Sequence, residues 1–304
     1  MYDIIVIGGG AAGMTAALYA VRNGKTALVI EKAGFGGQIT HSPKVENYPG
    51  TYSMSGNEFA DAMLDQIMKQ GAEIEIETVV SVADGGDKKI VCTEEGGEYE
   101  ARAVVIATGV KHRMLGLPGE EELIGEGISF CAVCDGDFYA GKTVCVAGGG
   151  NSALQEAILL SEKCKEVILL QDLPRFTGEE RLQQALFARE NVRGIVNTKI
   201  EALVTEAGEL RGVEYSDRDT GERQTVACDG LFVAIGLIPE NEPYKELAEL
   251  NAWGYFDSDE SCVTKTPGVF VAGDCRSKQV RQLTTAVADG AIAALAACRY
   301  INGL

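Results

Sequence analysis

Basic residues, histidine and long apolar runs are scarce in this 304-residue sequence, and each scarcity excludes a class of function. The chain has 27 Lys and Arg against 45 Asp and Glu, a formal net charge of −18. Nucleic acid is not an expected partner, because binding to phosphates needs clustered basic side chains. No apolar run approaches the roughly 20 residues of a membrane span, so no membrane association is expected.

Cysteine is present, but in a pattern that does not suit a secreted disulfide framework. The nine cysteines are odd in number and scattered along the chain. The first residues lead directly into an apolar strand and lack the charged head and cleavage site of a signal peptide. A reducing, cytoplasmic location is therefore expected. The length exceeds the comfortable size of one hydrophobic core, so we expect two domains.

The N-terminal stretch carries a complete dinucleotide fingerprint. Residues 2–7 are apolar and predict a strand buried on both faces, and residues 8–13 (Gly-Gly-Gly-Ala-Ala-Gly) fit G-x-G-x-x-G. A helix is predicted over 14–23, and a second strand over 25–31 ends at Glu31. Such glycines let the backbone approach a pyrophosphate, the helix N-terminus attracts its charge, and the acid accepts a ribose hydroxyl. A glycine-rich turn of an unrelated α/β domain is the alternative.

A second unit of the same kind begins near residue 144. An apolar strand runs into Gly148-Gly149-Gly150, a helix is predicted over 153–161, and a strand follows over 166–170. Residues 72–104 and 195–229 alternate between apolar and polar residues with turn signals, so antiparallel strands are predicted after each unit. The chain is thus expected to contain two weakly similar α/β units.

The pair Cys131 and Cys134, followed by Asp135, is the strongest chemical signal between the two units. Two cysteines at this spacing can close and reopen a disulfide, a thiolate at a helix start is the reactive form, and a neighbouring carboxylate can move its proton. A zinc site would need two more ligands, yet the only histidines, His41 and His112, are not nearby and no second C-x-x-C exists, so no metal is expected. The remaining cysteines are predicted to be small buried residues.

These motifs, in this order and spacing, resemble the low-molecular-weight thioredoxin reductases along essentially the whole chain. Further matches are residues 36–38, 46–50, 107–109, 268–274 and 281–282. The resemblance implies an α/β protein with two doubly wound, Rossmann-like, three-layer nucleotide-binding domains, the second inserted in the first. Residues 1–114 and 242–304 would form the FAD-binding domain, and residues 115–241 the inserted pyridine-nucleotide domain. A homodimer is also implied.

The resemblance also implies the activity and the role of each matching residue. The enzyme would pass electrons through FAD and the redox disulfide to thioredoxin or a thioredoxin-like protein. Cys134 would lie nearest the flavin, Cys131 would attack the partner disulfide, and Asp135 would donate and accept the proton. Asp274 ends a predicted strand, where capping of the next turn is the alternative role. The implied FAD-binding residues are Gly8, Gly10, Ala12, Gly13, Glu31, Gly37, Gln38, Asn47, Thr108, Gly109, Gly273, Asp274, Arg281, Gln282 and Leu283, and the implied nucleotide-binding residues are Gly148, Gly150, Asn151, Ser152 and Ala153.

One segment departs from the family and bears on the electron donor. Members that use NADPH carry His-Arg-Arg-x-x-x-Arg after the second strand, whereas residues 171–177 here read Gln-Asp-Leu-Pro-Arg-Phe-Thr. Asp172 stands in place of the first arginine, and a carboxylate there would repel a 2′-phosphate and accept a 2′-hydroxyl. NADH is therefore favoured over NADPH.

Two alternatives to an NADH-dependent reductase exist. The chain also resembles ferredoxin-dependent flavin thioredoxin reductases, which do not use NAD(P)H. The intact second glycine turn favours a nucleotide, and the negative net charge disfavours an acidic ferredoxin unless a local basic patch exists. A flavoprotein without disulfide chemistry would not need the paired cysteines.

Overall fold

The computed structural model describes residues 1–303, which form two units. One consists of residues 1–111 with the segment from 238 onwards, and the other of residues 112–237. The sequence-based boundaries, 114/115 and 241/242, lie slightly further along the chain. They were placed at Gly- and Pro-rich segments, whereas the division falls where the two connecting segments, Lys111–His112 and Leu237–Ile238, pair as a two-stranded sheet.

At the start of the first unit and in the middle of the second, strands alternate with helices as expected of an α/β protein. The strands are β1 (Tyr2–Ile7), β2 (Ala27–Glu31), β3 (Glu73–Ile76), β4 (Val79–Asp84), β5 (Lys89–Thr93), β6 (Glu98–Ile106), β7 (Lys111–His112), β8 (Ile128–Ser129), β9 (Thr143–Ala147), β10 (Glu166–Leu170), β11 (Val192–Ile195), β12 (Thr198–Glu206), β13 (Glu209–Asp217), β14 (Arg223–Ala227), β15 (Gly230–Val233), β16 (Leu237–Ile238) and β17 (Val269–Val271). The helices are α1 (Ala11–Arg22), α2 (Gly56–Lys69), α3 (Ala132–Asp135), α4 (Asn151–Ser161), α5 (Glu180–Phe187) and α6 (Leu283–Asn302).

The first unit is built on a sheet with the strand order β3-β2-β1-β6-β5-β4, and β17 also pairs with β6. Strands β1, β2, β3, β6 and β17 are parallel, and β4 and β5 extend the sheet antiparallel. Side chains of β1 alternate between two cores: Ile4 and Val6 pack with α1 and α6, while Ile5 and Ile7 pack on the other face. Both faces are thus covered, which explains the continuous apolar sequence.

The second unit repeats this plan. Its main sheet has the order β11-β10-β9-β15-β8 and is parallel, and β12, β13 and β14 form a separate antiparallel sheet. On β9, Val144 and Val146 pack against α4, whereas Cys145 and Ala147 pack in the core that contains β13. The predicted α/β fold class with two doubly wound units is confirmed.

Some local predictions were wrong. Strand β3 was expected to be antiparallel, but it pairs parallel with β2, from Leu28 opposite Glu73 to Glu31 opposite Ile76. Alternation of apolar and polar residues indicates a strand with one buried face, but it does not indicate whether the partner strand is parallel or antiparallel. The helices α1 and α4 begin three and two residues before the predicted positions, because each starts directly at the end of its glycine turn. Within residues 1–303, no helix is both long and apolar enough to cross a membrane.

Candidate active site

The first glycine turn is built so that its backbone is open to a ligand. Gly8 has a φ of +106° and lies against Ala107, and a Cβ added at Gly13 would overlap the carbonyl oxygen of Gly8. Helix α1 starts immediately afterwards, with Gly10 as its N-cap. Glu31, the last residue of β2, accepts a hydrogen bond from the Gly9 N–H at 2.6 Å. The turn, the helix start and the acid therefore form one connected structure, as the fingerprint predicts.

Hydrogen bonds hold several of the other residues assigned to FAD in place. The Asn47 side-chain amide donates to Gln282 Oε1 at 3.3 Å, which connects two segments far apart in sequence. Gln38 lies in a 3₁₀ turn over Gly37–His41 and donates to the carbonyl of Val110 at 3.3 Å. Thr108 donates to Asn241 Oδ1 at 3.2 Å. The structure thus gathers these residues within the first unit.

Asp274 follows β17 in a short 3₁₀ turn that is packed against α1. Its Oδ1 is buried without a hydrogen-bond partner, and the nearest cation is Lys278 Nζ at 3.9 Å. Burial raises the pKa of Asp274 more than Lys278 and Arg281 lower it. Arg281 stacks on the Tyr255 ring, with its guanidinium carbon 4.3 Å from the ring centroid. Gln282 is the N-cap of α6 and Leu283 its first residue.

These features fit FAD. The crowded glycine turn at the start of α1 suits a pyrophosphate, which needs backbone N–H groups and close approach. The orphaned oxygen of Asp274 suits a hydroxyl donor such as a ribityl chain, because buried carboxylate oxygens are normally hydrogen-bonded. Glu31 is already positioned as an acceptor at the turn.

Two groups of residues that support this site were missed from the sequence. Asn241 is buried, and its amide donates to the carbonyls of Gly254 and Cys275 at 2.9 and 2.7 Å. Asp289 on α6 accepts from Arg276, from Lys278 and from the Gly273 N–H. An acid within an otherwise small, apolar helix was the only available signal for Asp289.

The second glycine turn has the same geometry as the first. Gly148 has a φ of +126° and its Cβ would lie 2.5 Å from the carbonyl oxygen of Ala234, as Gly8 lies against Ala107. Gly150 is the N-cap of α4, which starts with Asn151 and Ser152, both exposed, and the buried Ala153. Asn151 Oδ1 accepts from the Glu179 N–H at 2.7 Å.

Asp172 does not occupy the position that Glu31 has in the first turn. Ile30 pairs with Ile7, and Leu170 pairs in the same way with Ala147, so the counterpart of Glu31 is Gln171. Gln171 is buried and donates to the carbonyl of Arg175 at 3.2 Å. Asp172 lies one residue further along, is 63% exposed, and has Arg218 Nη2 3.7 Å from its carboxylate. Its contact with a ribose remains a prediction.

Cys131 and Cys134 form a disulfide with their Cα atoms 5.3 Å apart. Cys131 is the N-cap of α3, and its Sγ accepts a hydrogen bond from the Cys134 N–H at 3.2 Å. Ser129 Oγ accepts from the Cys131 N–H at 3.1 Å and donates to Asp135 Oδ2 at 2.6 Å. Ser129, which sequence reasoning missed, therefore connects the first cysteine to the acid.

The environment of Asp135 favours its protonated form. Burial raises the pKa of this carboxyl, and the hydrogen bond from Ser129 lowers it only in part. Its Oδ1 is buried without a partner. A carboxyl with a raised pKa beside a disulfide is suited to donate a proton to a leaving thiolate and to take it back.

The other cysteines are free thiols, and all but one are buried as predicted. Burial raises the pKa of Cys275 to about 11 and that of Cys262 to about 12, so neither is a reactive thiolate at neutral pH. Cys92 on β5 is only half-buried, so for this residue the prediction was wrong. The buried free cysteines are Cys145, Cys164, Cys228, Cys262, Cys275 and Cys298.

The chain is similar to known proteins over its whole length. A family model described as pyridine nucleotide-disulphide oxidoreductase matches residues 2–290. The thioredoxin reductase of Bacillus subtilis (strain 168) is 39% identical over 304 residues, covering 100% of this chain and 96% of that protein. A 34.2 kDa protein in the rubredoxin operon of Clostridium pasteurianum is 40% identical over 302 residues, covering 99% and 97%. The crystal structure of thioredoxin reductase from Streptococcus pyogenes MGAS5005 superposes with a TM-score of 0.94 at 38% identity, covering 100% of this chain and 99% of that one.

Proposed function

The chain belongs to the pyridine nucleotide-disulphide oxidoreductase family, and on that premise we propose that it is a thioredoxin-disulfide reductase that prefers NADH to NADPH. The observation that carries this proposal is the Cys131–Cys134 disulfide with Asp135 beside it, in a unit that has its own dinucleotide turn. The relatives named thioredoxin reductase support thioredoxin, or a thioredoxin-like protein, as the acceptor.

FAD would be held by the first unit. The turn from Gly8 to Gly13 would take its pyrophosphate, Glu31 its adenosine ribose, and Asp274 its ribityl chain. When bound, FAD supplies two-electron chemistry between a reduced nicotinamide and the disulfide. Gln38, Asn47 and Gln282 would orient the ring from the segments that the Asn47–Gln282 hydrogen bond joins.

The protein's own residues direct the thiol chemistry. In the reduced protein, Cys131 would lose its proton to become the nucleophile in disulfide exchange, and the Cys134 N–H that now donates to Cys131 Sγ would stabilise this thiolate. This thiolate would attack the partner disulfide, and Cys134 would then resolve the mixed disulfide. Asp135, kept in place by Ser129, would hold the proton that Cys134 gains and loses. Val133, 56% exposed between the cysteines, offers the partner an apolar contact.

The donor preference rests on the segment after β10. Gln171, Asp172, Leu173 and Thr177 place no cation where NADPH-dependent members carry arginines. The Asp172 carboxylate, only loosely paired with Arg218, would repel a 2′-phosphate. A homodimer is proposed from the family alone.

The test is anaerobic flavin reduction, followed by absorbance, with NADH, NADPH and reduced ferredoxin offered separately to the FAD-loaded protein. We expect fast bleaching by NADH and slow bleaching by NADPH. Bleaching by ferredoxin alone would overturn the donor proposal and assign electron entry to an iron–sulfur protein.

The acceptor is tested with Cys134→Ser. This variant should keep FAD and its reduction by the donor but lose turnover with oxidised thioredoxin. Cys92→Ser, a half-buried cysteine of β5, is the control and should turn over normally. Undiminished thioredoxin reduction by Cys134→Ser would contradict the proposed route.

A further inference from the structure

Glu156 is a second, half-buried acid next to the redox disulfide. It lies on α4, which packs against α3, the helix that carries the cysteines. The Ala132 N–H, one residue after Cys131, donates a hydrogen bond to the Glu156 carboxyl. The other carboxyl oxygen, Oε2, is buried without a hydrogen-bond partner. Glu156 is therefore tied to the first turn of the reactive helix, yet nothing in the proposed function uses it.

Asp135 influences the ionisation of Glu156. Burial raises the pKa of Glu156 to about 8, against the lowering effect of the Ala132 hydrogen bond, and the Asp135 carboxylate adds to the rise. Burial likewise raises the pKa of Asp135. Burial and the neighbouring carboxyl of Asp135 therefore keep Glu156 protonated at neutral pH.

The other titratable groups around α4 do not resemble this pair. They are exposed, engaged in ion pairs or neutral at physiological pH. They are Glu180 and Arg181 of α5, Glu166 of β10 paired with Arg193, Glu162 paired with Arg189, Lys163 paired with Asp137, and Tyr139, whose pKa burial raises to about 12.

Conversion of the disulfide to the dithiol consumes two protons. With a small dithiol as reductant, one thiolate attacks Cys131 Sγ, the S–S bond breaks, and Cys134 leaves with the electron pair and takes a proton. The second thiol of the reductant then displaces Cys131, which takes the other proton, and the reductant becomes a disulfide. Asp135 alone can supply only one of these protons before it must be reprotonated.

We propose that Glu156 is a positioning residue that stores the second proton and transfers it to Asp135 after Asp135 has protonated Cys134. The proposal rests on the proposed function, in which Asp135 is the immediate acid. It explains why two carboxyls, each with one buried and orphaned oxygen, lie beside the same disulfide.

The test compares wild type with Glu156→Gln, which keeps an acceptor for the Ala132 N–H but cannot ionise. The FAD-loaded, oxidised proteins are reduced with dithiothreitol across the pH range, and free thiols are trapped by alkylation. The ratio of the two rate constants at each pH cancels the titration of the reagent. Glu162→Gln, at the exposed end of the same helix, is the control and should give a ratio of one against wild type throughout.

We expect wild type to react about tenfold faster than Glu156→Gln at pH values where Glu156 is protonated, a modest share of what general acids contribute. The ratio should fall to one or below as the pH rises through about 8, because the wild-type carboxyl then ionises. A ratio that is the same at every pH would overturn the proposal, since a purely structural role predicts no titration.

A second measurement needs no variant. The infrared spectrum of the wild-type protein should lose one protonated-carboxyl band as the pH rises through about 8, and persistence of every such band would contradict the proposal. Turnover with thioredoxin is recorded in parallel. If the ratio of rate constants changes with pH but thioredoxin is not reduced, the role of Glu156 stands and the proposed acceptor is refuted. If thioredoxin is reduced but the ratio does not change with pH, the proposed acceptor stands and the role of Glu156 is refuted.

Discussion

Replacing Asp289 with asparagine tests what holds the segment that carries Asp274. Asp289 is 4% exposed on α6 and accepts two hydrogen bonds of 2.8 Å from the Arg276 guanidinium. It also accepts from Lys278 Nζ at 2.9 Å and from the Gly273 N–H at 3.0 Å. The Arg276 guanidinium also donates hydrogen bonds to the carbonyls of residues 258 and 259. The substitution removes the one carboxylate shared by two buried cations.

The expected loss of stability is large. Removing one partner of a buried ion pair costs about 3–5 kcal/mol, because the remaining charge has no compensation. Here the side chains of Arg276 and Lys278, only 9% and 8% exposed, would both remain, so the upper part of that range applies. A domain is stable by about 5–15 kcal/mol in total. Since 1 kcal/mol moves the Tm of a domain of this size by about 2–4 °C, we expect a fall of about 10–15 °C.

The assay is thermal unfolding of the FAD-loaded protein followed by circular dichroism, with flavin release followed by fluorescence. Asp65→Asn is the control, because Asp65 also contacts a cation, Lys69, at 2.6 Å, but on an exposed helix surface. Exposed pairs of this type contribute about 0.3–0.5 kcal/mol. If Asp289→Asn lowered the Tm no more than Asp65→Asn, the reasoning from buried charge would be refuted.

The same carboxylate gives the prediction a pH dependence. Burial alone would raise the pKa of Asp289, but hydrogen bonds from Arg276 and Lys278 outweigh it and lower the pKa below its usual value. A depressed folded-state pKa contributes stability above the unfolded-state pKa of about 3.9, and this contribution disappears as the pH falls through the folded value. The difference between wild type and Asp289→Asn should therefore be greatest near neutral pH and shrink in acid.

Two further substitutions test the two predicted nucleotide-binding sites, one in each unit. Gly13→Ala should abolish FAD retention in gel filtration, because its Cβ would overlap the Gly8 carbonyl, whereas Gly34→Ala, with no atom within 4 Å of the added Cβ, should retain FAD. Asp172→Arg should shift the NADPH-to-NADH ratio of Kd values about 100-fold towards NADPH, since removing a repulsive charge and adding an attractive one are each expected to be worth about tenfold. An unchanged ratio would place the 2′ position elsewhere, and Glu190→Arg controls for net charge.

Local sequence signals predicted the parts of the fold whose physical causes are local. The strand from Tyr2 to Ile7, the turn after it and the acid Glu31 follow from apolar continuity, glycine spacing and chain length. The pairing of β3 was not predictable in this way, because the partner of a strand is chosen by contacts distant in sequence. Asn241 was missed for the same reason: its partners, Gly254 and Cys275, become neighbours only in the folded chain.

At one position of the candidate site, motif alignment and strand register select neighbouring residues. Motif alignment put Asp172 where NADPH-dependent relatives carry an arginine, and the ribose role of an acid was transferred to it. Strand register shows that the residue corresponding to Glu31 is Gln171. Asp172 can therefore act on a 2′-phosphate through charge, which extends several ångströms, more readily than through the direct hydrogen bond that Glu31 makes in the first turn. The Asp172→Arg experiment measures that charge effect.

Three buried side-chain oxygens lack a hydrogen-bond partner within residues 1–303, and they belong to Asp135, Glu156 and Asp274. Leaving such an oxygen unpaired costs about 1–3 kcal/mol, so a protein keeps one only where something else uses it. Asp274 lies where a cofactor hydroxyl would donate to it, and the other two flank a disulfide whose reduction consumes protons. The unpaired oxygens suit a different purpose in each unit. In the first unit, the unpaired acceptor is suited to a bound group, and in the second unit, the unpaired carboxyls are suited to proton transfer. If Glu156 had only a structural role, a glutamine would suit its position better than a glutamate. Glu156→Gln would then raise the Tm and leave the pH profile of disulfide reduction unchanged.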